Sequence, residues 1–338
     1  MTLRCSERLL NWSTQSSPPI SSFLVEPKST HRTEEAAERL SLINRDTAAR
    51  FSSTVASLEA VLDPEQINRL AESCVTIADS GWRSFETVNL LLEIAALTDH
   101  PSRLMEIMKA AEQLSGYSFE PAANYLQMVL GAVEAFHSKE VLELEQAGLA
   151  LHFKYQHASG LIGGYFSAAQ IILASCDSDN LLCWVEVARG MFDLGRDDLS
   201  RFLVLSEQSA NVSWVMLRRF QVKSVQGCLD YLDHIGHLYD KFTGAQMTLV
   251  ESSMLKHVDA SLADLIDSFE SLHGFDPDEV SLILALGADI EQAKNLAAFY
   301  RNAAKLPLGR QNVVRRWVEN GNEVARGNEF AGQAYFNL

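Results

Sequence analysis

A chain of 338 residues exceeds the usual size of one globular core, so its length predicts either two domains or one elongated repeat array. Eight prolines and eighteen glycines against abundant Leu, Ala and Glu favour helix, and no rhythm of short β-branched runs points to a barrel or a sandwich. The net charge of -16 argues against nucleic acid as a general partner, because phosphate binding depends on Lys and Arg.

The leader comes first. Residues 11 to about 33 are rich in Ser, Thr and Pro and hold few apolar anchors, which predicts a disordered N-terminal leader over 1–33 and a helical repeat domain over 34–338. Arg4 and Arg8 precede no continuous apolar stretch, so no signal peptide is read. No run of eighteen apolar residues exists to span a membrane. The five cysteines (Cys5, Cys74, Cys176, Cys183, Cys228) show no CxxC pairing, which reads as reduced thiols in a cytoplasmic protein.

From Glu34, apolar residues recur at helical spacing through Leu62, which predicts one long helix or two. Asp63-Pro64-Glu65 then carries the grammar of a helix start, Asp as N-cap and Pro at the first position, and Asp276-Pro277-Asp278-Glu279 repeats it. After Asp63 a phrase recurs in which a large apolar residue is followed four positions later by a small one. It occurs at Leu70/Cys74, Ile107/Ala111, Leu144/Gly148, Trp184/Ala188, Leu232/Gly236, Ile283/Gly287 and Trp317/Gly321. On a helix these pairs place a knob and a notch on one face, the footprint of close helix packing.

The gaps between successive phrases are 37, 37, 40, 48, 51 and 34 residues, a length that suits two helices and two turns. The expectation is an all-α, irregular helical-hairpin repeat array of solenoid type. Gly164-Tyr165-Phe166 and Ala334-Tyr335-Phe336 close two of the units alike, and Phe299-Tyr300 is a weaker echo. Turns are expected around Thr98–Pro101, Ser115–Tyr117, Cys176–Asn180, His273–Pro277 and Leu306–Gly309. The last residues offer no polar-faced cap, which predicts the front part of a longer protein or an end-on partner.

Candidate chemistry is sparse. Asp230, His234 and His237 share a helix face, a geometry conceivable for a divalent ion; no fourth ligand is signposted, and the face reads as polar helix surface. His137, His152 and His157 lack a paired nucleophile or acid. No GxxxxGK[ST] loop is present, and Gly160-Leu161-Ile162-Gly163-Gly164 reads as close helix packing. Basic side chains outnumber acidic ones six to three over residues 301 to 338. Within that segment Arg310, Arg315, Arg316 and Arg326 either dock an acidic partner or form a solvated face that balances the acidic body. Trp184 and Trp317 hold the most periodic position and read as core anchors. No catalytic centre, cofactor or resident metal is expected.

The phrase of Trp, a small residue four on, Ala one or two turns later, and then small-x-Tyr-Phe resembles the N-terminal helical region of the NorD/CbbO family. The best matches are Trp317 to Phe336, Trp184 to Phe202 and Leu70 to Phe85. The resemblance implies an adaptor: members join helical repeats to a C-terminal von Willebrand factor A domain and work with a MoxR-type AAA+ ATPase to activate a client enzyme. The A domain's Asp-x-Ser-x-Ser ion motif is absent, Asp259-Ala260-Ser261-Leu262-Ala263 failing at the last Ser, so no family metal ligand carries over. Two other readings stay open: a free-standing helical-repeat module that binds another protein, and an α-helical metalloenzyme using Asp230, His234 and His237.

Overall fold

The computed structural model describes residues 28–338, apart from 82, 133–137, 211, 240, 258–261 and 338. Eighteen α-helices and no strand occur among the described residues. They follow one another as hairpins. The first three are α1 (Lys28–Ile43) with α2 (Arg45–Leu58), α3 (Pro64–Ala78) with α4 (Ser84–Leu97), and α5 (Pro101–Ser115) with α6 (Phe119–Gly131). The middle three are α7 (Lys139–Lys154) with α8 (Ser159–Ser175), α9 (Ser178–Met191) with α10 (Arg196–Gln208), and α11 (Trp214–Lys223) with α12 (Val225–Tyr239). The last three are α13 (Gly244–Lys256) with α14 (Leu262–Glu270), α15 (Pro277–Gly287) with α16 (Ala293–Arg301), and α17 (Gln311–Gly327) with α18 (Glu329–Phe336).

The expected helix starts are built as read. Asp63 and Asp276 each accept two backbone N–H groups, and Gln66 and Glu279 close the reciprocal half of a capping box. Thr243 with Gln246 forms a third such box, while Ser118, Ser138, Asp177, Ser213 and Asn328 cap their helices with the side chain alone. The stretch from Glu34 to Leu62 forms two helices, because Asn44 adopts an extended backbone and its side chain accepts from the Thr47 N–H to start α2.

Packing follows one rule along the chain. Most contacts run between hairpin partners or to the helix two places further on, so first helices pack on first helices and second helices on second helices, with lighter contacts from a second helix to the next first helix. The helices sandwich one continuous apolar core running from Ala36 to Phe336. Polar contacts between adjacent hairpins repeat this period. Arg39 binds Asp79, Arg69 binds Glu112 and Lys154 binds Asp193 at 39 to 43 residues' separation, whereas Gln221 bonds to Val187 and Asn322 to Asp289 at 33 to 34.

Two sequence expectations are corrected. First, the leader does not extend to residue 33: α1 begins at Lys28, and the Arg32 guanidinium pairs with Glu72 of α3. Ala36 and Leu40 of the same helix, in the stretch already read as helical from Glu34, are buried and anchor it. Residues 1–27 lie outside the described residues.

Second, Leu232 and Gly236 do not open a unit. They lie in α12, a second helix, and the two first helices on either side, α11 and α13, went unread. First helices begin at 28, 64, 101, 139, 178, 214, 244, 277 and 311, steps of 30 to 39, so the long gaps of 48 and 51 vanish. The cause is local chemistry. In α11 the residue four past buried Leu217 is Gln221, whose amide donates to the Val187 carbonyl of the previous hairpin at 2.8 Å, so no small residue is wanted there. In α13 the pair is Val250 and Met254, both buried, a knob with no notch.

Candidate functional site

The notch in the repeat phrase is filled from within its own hairpin. A Cβ built on Gly148 of α7 would stand 2.9 Å from the Tyr165 ring and closer still to Phe166, both on α8. A Cβ on Gly321 of α17 would meet Tyr335 at 2.9 Å and Phe336 at 2.7 Å on α18, and one on Gly287 of α15 would meet Tyr300 of α16 at 2.7 Å. Glycine is required at these places by the approach of an aromatic ring. The Tyr-Phe dipeptides that close two units in the sequence are therefore the partners of the glycines that open them. Leu70, Ile107, Leu144, Trp184, Ala188 and Ile283 are all fully buried in the same first-helix layer.

Trp317 differs from Trp184. Trp184 is fully buried, with Phe202 of its own hairpin stacked at 6.4 Å and Trp214 of the next hairpin set edge-on at 6.4 Å. Trp317 stacks on Phe299 at 6.1 Å and Tyr335 at 5.5 Å, but no following hairpin stands against it among the described residues, and it stays half-buried. Its open side forms the floor of a groove of about 250 Å³ lined by Asn302, Lys305, Leu306, Pro307, Val313, Val314 and Trp317. Two short 3-10 turns, at 303–305 and 308–310, lead from α16 into α17, and residues of this connection contribute to the lining.

Helix geometry sorts the four arginines. Val313, Trp317, Asn320 and Val324 fall on one stripe of α17 beside the buried stripe of Val314, Val318, Gly321 and Ala325. Arg316, three positions past Val313, flanks the open stripe by position, as does Glu323, whereas Arg310 lies before the first residue of α17. Arg315 falls on the opposite flank by position. Arg326 faces the preceding hairpin, where its guanidinium pairs with Glu291, and the pair holds the arginine above and the carboxylate below its ordinary pKa. Of the four residues read as one basic patch, the structure ties Arg326 to Glu291 of the preceding hairpin, and none of the four is among the residues that line the groove. Lys305 lies on the lining, where its ammonium donates to the Asn302 side-chain oxygen at 2.7 Å.

A second cluster went unread in the sequence. Arg103 of α5 is buried, and its guanidinium donates to Glu145 of α7 at 2.5 Å and to Glu106 at 3.1 Å. The Tyr125 hydroxyl of α6 donates to the other Glu145 oxygen at 2.5 Å. Burial, reinforced by the Glu145 charge, pushes the Tyr125 phenol well above its ordinary value, so it stays protonated as a donor. The same step recurs where Tyr231 of α12 donates to buried Glu251 of α13 at 2.7 Å, again twenty residues on. A buried Tyr twenty residues before a buried Glu, second helix to next first helix, was a signal present in the sequence.

The remaining candidates are dispersed. The His234 Nδ1 lies 2.7 Å from the Asp230 carbonyl oxygen, and the side chain of His237 and all of His137 lie outside the described residues. No group of three His, Cys, Asp or Glu among the described residues could hold a metal ion. Burial lowers the His152 pKa, keeping the imidazole neutral, and His157 sets its ring edge-on to Tyr117 at 4.9 Å. Burial pushes the thiols of Cys74, Cys176, Cys183 and Cys228 up, away from the nucleophilic thiolate. The stretch from Gly160 to Gly164 lies in α8, where the Gly163 carbonyl accepts from Asn124 at 3.0 Å, a helix-packing contact.

Fold and site together define an all-helical array of hairpins with an apolar groove at the start of α17. None of its described helices is long and apolar enough to cross a membrane. No protein-family description, curated protein or solved structure matches the chain.

Proposed function

We propose that this chain is a non-catalytic cytoplasmic scaffold, the helical part of an activator that links a MoxR-type AAA+ ATPase to a client enzyme. One observation supports the reading: the phrase carrying the resemblance to the NorD/CbbO helical region is a single packing unit. Gly148 receives Tyr165 and Phe166 just as Gly321 receives Tyr335 and Phe336. A motif repeated as one three-dimensional device is more specific than aromatic and small residues at helical spacing, which chance also produces.

The test pairs the purified full chain with a MoxR-type ATPase from the same genome and measures ATP hydrolysis and complex formation. The expected result is a complex and an altered hydrolysis rate, both lost when Gly148 and Gly321 become Leu and the hairpins can no longer close. Absence of a complex with every such ATPase of that genome, in ATP and in ADP, would overturn the proposal. A second reading, a protein-binding module of another family, is favoured by the open groove at Trp317.

A further inference from the structure

We infer that the array works as two blocks, α1 to α12 and α13 to α18, which bend against each other where α12 meets α13, with the bond between Tyr231 and Glu251 as the pin. The ties on either side run away from this junction. Hairpin α11–α12 is laced backwards. The Trp214 backbone N–H donates to the Asn180 side-chain oxygen at 2.9 Å and the Gln221 amide to the Val187 carbonyl at 2.8 Å. Arg218 pairs with Glu186, Arg201 pairs with Asp233, and the Trp214 ring stands edge-on to Trp184 and Phe202. Hairpin α13–α14 and the turn after it are laced forwards. Gln246 donates to the Pro277 carbonyl at 2.7 Å, Lys256 to the carbonyls of Ala288 and Ile290 at 3.1 and 3.0 Å, and Ser271 to that of Tyr300 at 2.8 Å. The Phe269 ring lies 5.0 Å from that of Tyr300.

Helix packing divides at the same place. Among the described residues α11 packs broadly on α9 and lightly on α13, while α14 packs broadly on α16 and lightly on α12. The step from α11 to α13, 30 residues, is also the shortest between first helices. The junction is crossed by the Tyr231 hydroxyl of α12, which donates to Glu251 of α13 at 2.7 Å, both residues being buried. Tyr231 stays with its own block by stacking on Phe220 of α11 at 4.7 Å. Lys241 and Phe242, which meet Glu270 and Phe269, belong to the connection over 240–243 and hold that connection to α14. A light interface between two internally tied bodies is where relative motion concentrates, and the residues that join them take up the change of angle. The inference concerns the mechanics of this chain and does not rest on the ATPase pairing.

The test measures distance distributions by pulsed electron paramagnetic resonance on the full chain, with Cys5, Cys176 and Cys183 changed to Ser. Spin labels go on Gln146→Cys, Arg219→Cys and Ala285→Cys, in pairs, at positions that are all exposed. Gln146 to Arg219 spans two first-helix steps inside the first block, and Arg219 to Ala285 spans two steps across the junction. The second distribution is expected to be at least about twice as broad as the first. Tyr231→Phe, which keeps the stack on Phe220, is expected to broaden the Arg219–Ala285 distribution further and to leave Gln146–Arg219 unchanged. Tyr125→Phe, which removes the corresponding donor from Glu145 within the first block, leaves Arg219–Ala285 as it is. Equal breadth for the two pairs in the unaltered junction would overturn the inference, whatever the variants do. So would a Tyr231→Phe chain whose Arg219–Ala285 distribution is unchanged, or one in which both pairs broaden alike.

Discussion

Glu145 shows how much one side chain carries when two hairpins share it. Its two oxygens accept from Arg103 and from Tyr125, and all three residues are buried, so the charge is satisfied only while the set is complete. Removing one member of a buried ion pair strands the other's charge, which costs about 3–5 kcal/mol. Glu145→Ala is therefore expected to destabilise the chain by that order, read as a lower urea midpoint, while Glu145→Gln recovers part of the loss because its amide oxygen still accepts. A loss within ~1 kcal/mol for Glu145→Ala would show that water reaches Arg103. The arginine was visible in the sequence as one of many on a helix; its burial was not, because position 103 faces α7 only once the hairpins stack.

At the scale of the helical element, the decisive contact is a ring over a glycine. Gly148 and Gly164 are both helical, and both cost their helices about 1 kcal/mol relative to alanine. They differ in what surrounds them. A Cβ on Gly164 would meet only Leu203, at an ordinary 3.8 Å, whereas one on Gly148 would collide with two fully buried rings that cannot swing away. Gly164→Ala is expected to stabilise by up to about 1 kcal/mol. Gly148→Ala is expected to destabilise, because overpacking costs about 1–3 kcal/mol against that gain. Thermal unfolding of the two variants checks the opposite signs; a rise in midpoint for Gly148→Ala would mean that α7 and α8 separate freely.

Across the whole molecule, contacts reach the adjacent hairpins and little further, so stability is a sum of local terms and nearest-neighbour interfaces. A break in the middle should not be felt at the ends. Val185→Pro, at a buried position inside α9, removes a helix hydrogen bond and costs about 3 kcal/mol or more. Amide hydrogen exchange is expected to lose protection over α7 to α11 and to keep it in α1 to α4 and α15 to α18. Uniform loss along the chain would show instead that the array unfolds as one unit.

By itself the sequence determined the helical class, most turns and the capped starts at Asp63 and Asp276, because those depend on residues within one turn of each other. It also located Gly148, Gly321 and their aromatic partners, since a knob, a notch and a Tyr-Phe pair are legible as spacing. Only the tertiary structure decided which helices form which layer, and so moved Leu232 and Gly236 to a second helix and supplied α11 and α13. It alone placed Arg326 against Glu291 of the preceding hairpin. Local propensity is written in neighbouring residues, but which side of a helix is covered depends on segments some 30 to 40 residues away, and single-chain periodicity does not record the direction from which they arrive.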